Sequence, residues 1–496
     1  MESTSVKLSV PLGEEVIQLS TLDQQAQRAY ANLVLIFKLS QNASVQDILQ
    51  GLKLGLGAAL TELPDFASLV VPLPGSKRNE LQLQLGPDSA VPFKIVEHAV
   101  LVNHAENHSA MRQNGCTSDL ARDDFSLASV PTEALFIQQA AAELACAKEL
   151  PALVAQANVV NGGLILGLSW HHTASDARGI NTLLSSWARY TKMWVTQGTI
   201  GSATAAPEPT RDRWRLIGGP RSVSVDQFSD YQINSAVRAP LSPAAVHLLD
   251  RPNTTTAAAK LSTWYFGKKA LQALTTALGS VVADGSDAVH FTNSEAVSAL
   301  VWKHLSLARL LHQAQEQEQE QEQAHDTSLF STRIDYRARV KPAFSGAYIG
   351  NINEPNARAR MRLVDVCAPS SPESLAMLAT KIREAVASMD GKAMREFVGL
   401  IEGLPAVTDL AWDFDTLPGP DLVVTDMSGL DTLQQDWGGA LGRPICIRSG
   451  SREKGVAYFL PQDTEGGFEV QLQCTDDALA RLKSDSLFTE YAEFRC

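Results

Sequence analysis

One six-residue stretch limits the folds open to this chain more than any other. It is His171-His172-Thr173-Ala174-Ser175-Asp176, set between an apolar run and a helical pattern. The run before it, Gly162 to Trp170 (GGLILGLSW), is short, apolar and opened by two glycines, which favours a buried strand. Asp176 to Val195 then reads as a helix. A histidine at a strand end is held by a rigid sheet, yet its imidazole can reach a cleft. Its ordinary pKa of about 6.5 lets it accept and return a proton near neutral pH. Asp176 falls in the first turn of the helix, where the dipole favours an anion and where pairing with an arginine would lock the loop. Two other readings stay open on this stretch alone. Adjacent histidines with an aspartate can ligate a metal, although no third ligand or cysteine cluster accompanies them. They can also be purely structural.

The flanking chain supplies further strands and helices. Val6 to Val10 alternates as a strand would, and Ala31 to Leu39 (ANLVLIFKL) is a second, nearly all-apolar one. Ser44 caps a predicted amphipathic helix reaching about Leu60. Pro131 to Glu149 reads as helix-rich. Gly198 to Pro220, rich in Gly, Ala, Pro, Ser and Thr, is the best linker in the sequence. Beyond it, Ser262–Phe266 reads as a strand and Lys268–Leu278 as a helix. A long helix follows over Asn293–Gln313, capped by Asn293 or Ser294. The Glu-Gln repeat at Glu316–Gln323 reads as a solvated extension or a loop. Strands are expected at Ser328–Tyr336, Leu422–Thr425, Ile445–Arg448, Val456–Leu460 and Phe468–Gln473, with a closing helix at Asp476–Lys483. Both halves mix the two element types, so the class is α/β or mixed α+β with two domains of similar size. The expected boundaries are 1–205, a crossover linker at 206–224, and 225–496.

Charge narrows the function. With 42 basic against 55 acidic residues the net charge is −13, the wrong sign for a nucleic-acid groove. No stretch approaches the ~18 uninterrupted apolar residues of a membrane span. The first residues carry Glu2, Lys7, Glu14 and Glu15, unlike a secretory leader. Six scattered cysteines form no metal-ligand spacing and read as buried thiols in a reducing cytosol.

A second stretch, Asp436-Trp437-Gly438-Gly439-Ala440-Leu441-Gly442-Arg443-Pro444, implies a tight turn with close backbone approach, clamped by Asp436. Alone it reads as a hairpin between strands. Together with His172 and Asp176 it resembles the BAHD-type HxxxD acyltransferases, in particular their fungal branch of trichothecene O-acetyltransferase-like enzymes. That family carries HxxxD near the middle and a DFGWG-like stretch near the C-terminus. Asp436, Trp437 and Gly438 match the start of the latter, with Trp437 in place of Phe. Three other segments agree in order: Leu19-Ser20-Thr21-Leu22-Asp23-Gln24, Asn293 to Lys303, and Asp335-Tyr336-Arg337-Ala338-Arg339 followed by Pro342 and Tyr348-Ile349-Gly350-Asn351. Two positions depart from the pattern. Ala177 stands where a glycine usually follows the aspartate, and Asp426 replaces a serine.

The resemblance implies two chloramphenicol-acetyltransferase-like domains with an active-site tunnel between them. It implies acyl-CoA as co-substrate, no permanently bound cofactor, no metal, and a small-molecule alcohol or amine, of secondary metabolism, as acceptor. His172 is then the general base. Asp176 is structural, and Arg337 or Arg339 are its possible partners or those of Asp436. Thr425 and His171 are the candidates for contacting substrate or the oxyanion. Asp436, Trp437, Gly438 and Gly439 shape a loop on the CoA side. A cytoplasmic monomer is expected. HHxxxD also marks the condensation domains of peptide synthetases, which share the fold but take carrier-bound thioesters. A member recruited for ligand binding or cyclisation is a further alternative.

Overall fold

The computed structural model describes residues 2–40, 43–97, 135–136, 149–160, 162–200, 210–234, 260–282, 290–316, 326–417, 419–450 and 455–496. Two large sheets organise it. The first has six strands in the order Glu2–Lys7, Ala90–Glu97, Leu153–Val160, Gly163–His171, Tyr30–Lys38 and Cys446–Ser449. Tyr30–Lys38 is nearly all apolar because both of its faces are covered. Leu33, Leu35 and Phe37 enter one core, while Val34 and Ile36 pack with Leu135, Phe136 and Ile165 on the other side. Helices Val45–Glu62 and Ala177–Gln197 belong to the first of these cores, where Trp187 donates its indole N–H to Leu52 O at 2.8 Å.

The second sheet runs Ala357–Arg362, Thr327–Thr332, Leu422–Asp426, Val456–Phe459, Phe468–Cys474, Lys260–Phe266 and Glu493–Phe494. Its core takes in Lys268–Val282, Asn293–Glu316 and Pro372–Ser388. The chain crosses between the sheets twice late in the sequence. It leaves the second sheet after Asp426, pairs Cys446–Ser449 with Leu33–Ile36 in the first, and returns at Val456. The stretch 436–444 therefore lies on a crossing and is not the tip of a hairpin. The short apolar stretches 422–425 and 445–448 read as strands, but they carry no record of which sheet each joins.

Several expectations hold and others shift. Ser44 does cap its helix, accepting the Asp47 N–H at 3.2 Å. The first strand is Glu2–Lys7, earlier than Val6–Val10, because Ser9 N and Val10 N turn to Gly57 O and Thr61 Oγ1 on the helix Val45–Glu62. The long helix is capped by Thr292, one residue before the expected pair. Thr292 Oγ1 accepts Glu295 N at 3.2 Å and Glu295 Oε2 accepts Thr292 N at 2.8 Å, a reciprocal capping box. The strand expected over Ser328–Tyr336 ends at Thr332. Of the expected linker, the part from Thr210 onward is anchored to the rest of the chain: Arg213 is buried, and Gly218 N and Gly219 N donate to Glu402, while Trp214 and Ile217 are exposed. The helix-rich reading of 131–149 falls outside the described residues apart from 135, 136 and 149. So does the Glu-Gln repeat past Glu316.

Candidate active site

His172 stands one residue past the strand Gly163–His171, half-buried, with its own N–H donating to Ala29 O at 2.9 Å. Its imidazole Nδ1 lies 3.1 Å from Asn351 Oδ1. The Asn351 amide is oriented by what its NH₂ must reach: Asp23 Oδ1 at 2.9 Å and His172 O at 2.8 Å, both acceptors. Asn351 therefore presents its oxygen to the ring. An acceptor there places the imidazole proton on Nδ1 and the lone pair on Nε2.

Asp23 in turn is fixed on every side. Its Oδ1 also takes Asn351 N at 2.8 Å; its Oδ2 takes Ser20 N and Oγ at 2.9 and 2.7 Å and Arg213 Nη1 at 2.5 Å. Arg213 Nη2 continues to Asp65 Oδ2 and Ala174 O, each at 2.9 Å, so one buried guanidinium ties Asp23 and Asp65 to the loop after His172. Its burial opposes the charge, but the two carboxylates outweigh this and hold it protonated more firmly than usual.

Asp176 is the N-cap of the helix Ala177–Gln197, and its Oδ1 accepts Gly179 N at 3.0 Å. The same carboxylate forms a two-bond fork with Arg337, Nη2 to Oδ1 at 2.8 Å and Nη1 to Oδ2 at 3.0 Å. Ile352 N adds a fourth donor at 3.3 Å. A carboxylate offers about four lone-pair sites, so Asp176 is filled by the protein itself. Arg337 also donates to Tyr348 O and Gly350 O, which closes the 337–352 segment against the HxxxD loop. Residues 23, 172–176, 213, 337 and 351, spread over most of the chain, thus meet in one buried polar network.

The chain is similar to known proteins along its whole length. A model described as Transferase family matches residues 114–489, and one for the trichothecene 3-O-acetyltransferase-like N-terminal domain matches 29–189. Acyltransferase cm3D of Cordyceps militaris is 72% identical over 495 residues, covering 100% of both chains. Acyltransferase easC of Emericella nidulans is 45% identical across 100% of this chain and 98% of its own. The chain belongs to the HxxxD acyltransferase family. The crystal structure of F. graminearum TRI101 with coenzyme A and T-2 mycotoxin shares its two-domain fold. The TM-score is 0.76 at 18% identity, covering 97% of this chain and 100% of that one.

The family's second characteristic stretch sits on the far half of the same helix. Asp436 Oδ2 accepts Lys192 Nζ at 2.7 Å and its Oδ1 accepts Gly438 N at 2.9 Å. The lysine bond first, then the Gly438 N–H, holds the Asp436 carboxyl below its ordinary range. The arginine expected opposite Asp436 is therefore replaced by Lys192, because the turn lands on a helix face that presents a lysine. Arg339 instead donates to Val386 O and Met389 O. Trp437 is fully buried between Phe37 and Trp187, with ring centroids 5.5 Å from each. Gly438 has φ +77°, and a Cβ there would stand 2.7 Å from Lys192 Cα. Gly439, at φ +51°, would collide with Val195 Cγ1.

Other candidates resolve differently. His171 does not reach a cleft: it is fully buried, with Nδ1 2.8 Å from Thr173 Oγ1 and its ring edge-on to Tyr30. Thr425 is half-buried in Leu422–Asp426, paired with Tyr458 of the neighbouring strand. Asp426 is engaged in its own turn, accepting Ser428 N and Oγ and the Ser294 hydroxyl. Ala177 is accommodated because the close approach falls at Gly179, where a Cβ would meet Ile349 O at 2.5 Å. Among the described residues no group of three or more His, Cys, Asp or Glu could hold a metal. The reading from sequence did not assign roles to Asp23, Asn351 or Arg213. The first two stand in family-like segments and carried a signal; Arg213 sits in what reads as a linker and carried none.

Proposed function

We propose that the chain transfers an acyl group from acyl-CoA to the hydroxyl, or amine, of a secondary metabolite, with His172 Nε2 as general base. The observation that carries this reading is the Asn351 amide, which leaves the imidazole proton on Nδ1 and the basic lone pair on Nε2. Nε2 takes the acceptor's proton as its oxygen or nitrogen attacks the thioester carbonyl. The tetrahedral oxyanion collapses, the C–S bond breaks, and the imidazolium returns the proton to the leaving thiolate. No acyl-enzyme intervenes. Thr425 is the proposed oxyanion donor, a role whose loss costs roughly 10²–10³ in rate. It lies two residues before Met427, which lines the same cleft as Trp170 and Ala177 on either side of the HxxxD loop.

Asp176 and Asn351 position the base, and Asp436, Trp437, Gly438 and Gly439 shape the donor side. The coenzyme A in the TRI101 crystal structure supports the choice of donor. We take the enzyme to act as a cytoplasmic monomer; among the described residues no helix is long and apolar enough to cross a membrane. The test is release of free thiol from a panel of acyl-CoAs, followed by a metabolite screen with the best donor. Acceptor-dependent release that survives chelation is expected. Release from carrier-bound thioesters alone would replace acyl-CoA with the condensation-type donor.

A further inference from the structure

Asp23 reaches the imidazole through Asn351, and its two oxygens keep different company. Oδ2 accepts Ser20 N at 2.9 Å, the Ser20 hydroxyl at 2.7 Å and Arg213 Nη1 at 2.5 Å. The backbone N–H and the guanidinium can only donate. Oδ1 accepts from Asn351 twice, at its backbone N (2.8 Å) and at Nδ2 (2.9 Å). The backbone N–H is fixed as a donor, whereas the side-chain amide can turn over and offer its oxygen. The carboxylate forbids that turn, because it has no proton to give. Nδ2 stays on Asp23, and Asn351 Oδ1 is left 3.1 Å from His172 Nδ1. Asp23, Asn351 and Arg213 are all buried, so a donor facing a donor there is not relieved by bulk water.

We infer that Asp23 is a positioning residue for the transfer: its carboxylate sets the Asn351 amide and, through it, the tautomer that leaves His172 Nε2 basic. This rests on the general-base reading above. Asp23→Asn shows what the carboxylate does. The new amide carries a single acceptor, and its oxygen turns to the side with two obligate donors, Ser20 N and the charged Arg213. Its NH₂ then faces Asn351, whose side chain must turn its own oxygen to meet it. The Asn351 NH₂ comes round to His172 Nδ1 and draws the ring's lone pair there. The proton moves to Nε2, where no base is left to receive the acceptor's proton. In a Ser-His-Asp triad, an aspartate replaced by asparagine leaves the wrong tautomer and costs roughly 10⁴ in kcat.

The test is the tautomer itself, read from ¹⁵N resonances of histidine-labelled protein well above the ordinary imidazole pKa of about 6.5. The signals lost in His172→Ala mark which ring is which. Wild type should carry the proton on Nδ1 and Asp23→Asn on Nε2. Thiol release from acetyl-CoA should fall by at least about 10² in the variant, with KM little changed. If Asp23 serves Arg213 only as a counterion, the variant loses stability but keeps the wild-type tautomer, and that result overturns the inference. So does a wild-type ring protonated on Nε2. Where Asp23→Asn does not fold, Asn351→Leu decides, since it leaves the Asp23–Arg213 pair in place and removes the acceptor at Nδ1. Both tautomers should then appear, and a ring still protonated on Nδ1 alone overturns the inference. The general-base reading fails separately, by normal turnover of His172→Ala.

Discussion

The helix Ala177–Gln197 is held at its two ends by aspartates that do opposite kinds of work. At the start, Asp176 and Arg337 are both buried, their side chains 3% and 4% exposed. Near the end, Asp436 and Lys192 meet in solvent, 41% and 49% exposed, across one 2.7 Å contact. The sequence marks the two aspartates alike, each beside a turn in a family-characteristic stretch. Burial separates them. A buried ion pair broken on one side leaves a charge stranded, whereas an exposed pair is replaced by water with little loss. What fixes the second stretch is its tryptophan and glycines, and what fixes the first is its carboxylate.

The largest effect should follow Asp176→Asn. It strands the Arg337 guanidinium, whose remaining charged partner among the described residues is the half-exposed Asp335, while an amide oxygen at 176 can still cap the helix. A cost of about 3–5 kcal/mol is expected, a large part of the ~5–15 kcal/mol by which a domain is stable. Denaturant unfolding reads it directly, and a cost below about 1 kcal/mol would erase the contrast between the two ends. Gly438→Ala should come next, at about 1–3 kcal/mol, since it forces a side chain to φ +77° and into the Lys192 backbone. A variant as stable as wild type would mean the turn can move off the helix.

Asp436→Asn should be smallest, under about 1 kcal/mol, and should shrink as salt is raised. Its pH dependence has a definite sign. The folded carboxyl titrates below its unfolded value of about 3.9, so the stabilisation is complete above that pH and is lost as pH falls through the folded value. Stability curves of wild type and variant should therefore converge only in acid. A gap that persists there, or that ignores salt, would show Asp436 to be as structural as Asp176.

These differences explain what could be read from the residues alone. Strand, loop and helix around His172 are local, so the short apolar run and the turn into a helical pattern placed them. Arg337 was one of two candidates for Asp176, and only the fold could choose, because the pairing spans 161 residues of sequence. Lys192 gave no sign of its role, being one lysine on an amphipathic helix. Arg213 was hidden by its neighbours: a Pro- and Ala-rich composition reads as a linker, and a buried arginine there depends on carboxylates at 23 and 65 that meet it only in three dimensions. His171, a candidate beside His172, lies buried against Tyr30 and Thr173. Adjacent residues at a strand end point to different sides, and only one of the pair could face the cleft.

The central claim is that HxxxD divides its labour, with His172 moving the proton and Asp176 holding the loop. The most direct measurement is acyl transfer by His172→Ala, taken alongside its thermal melt. The account predicts turnover lower by about 10²–10⁴, the usual contribution of a general base, with a melt close to wild type because the ring is half-buried and the Asn351 amide keeps its bonds to Asp23 and to the backbone oxygen at 172. Near-normal turnover in a folded His172→Ala protein would contradict it.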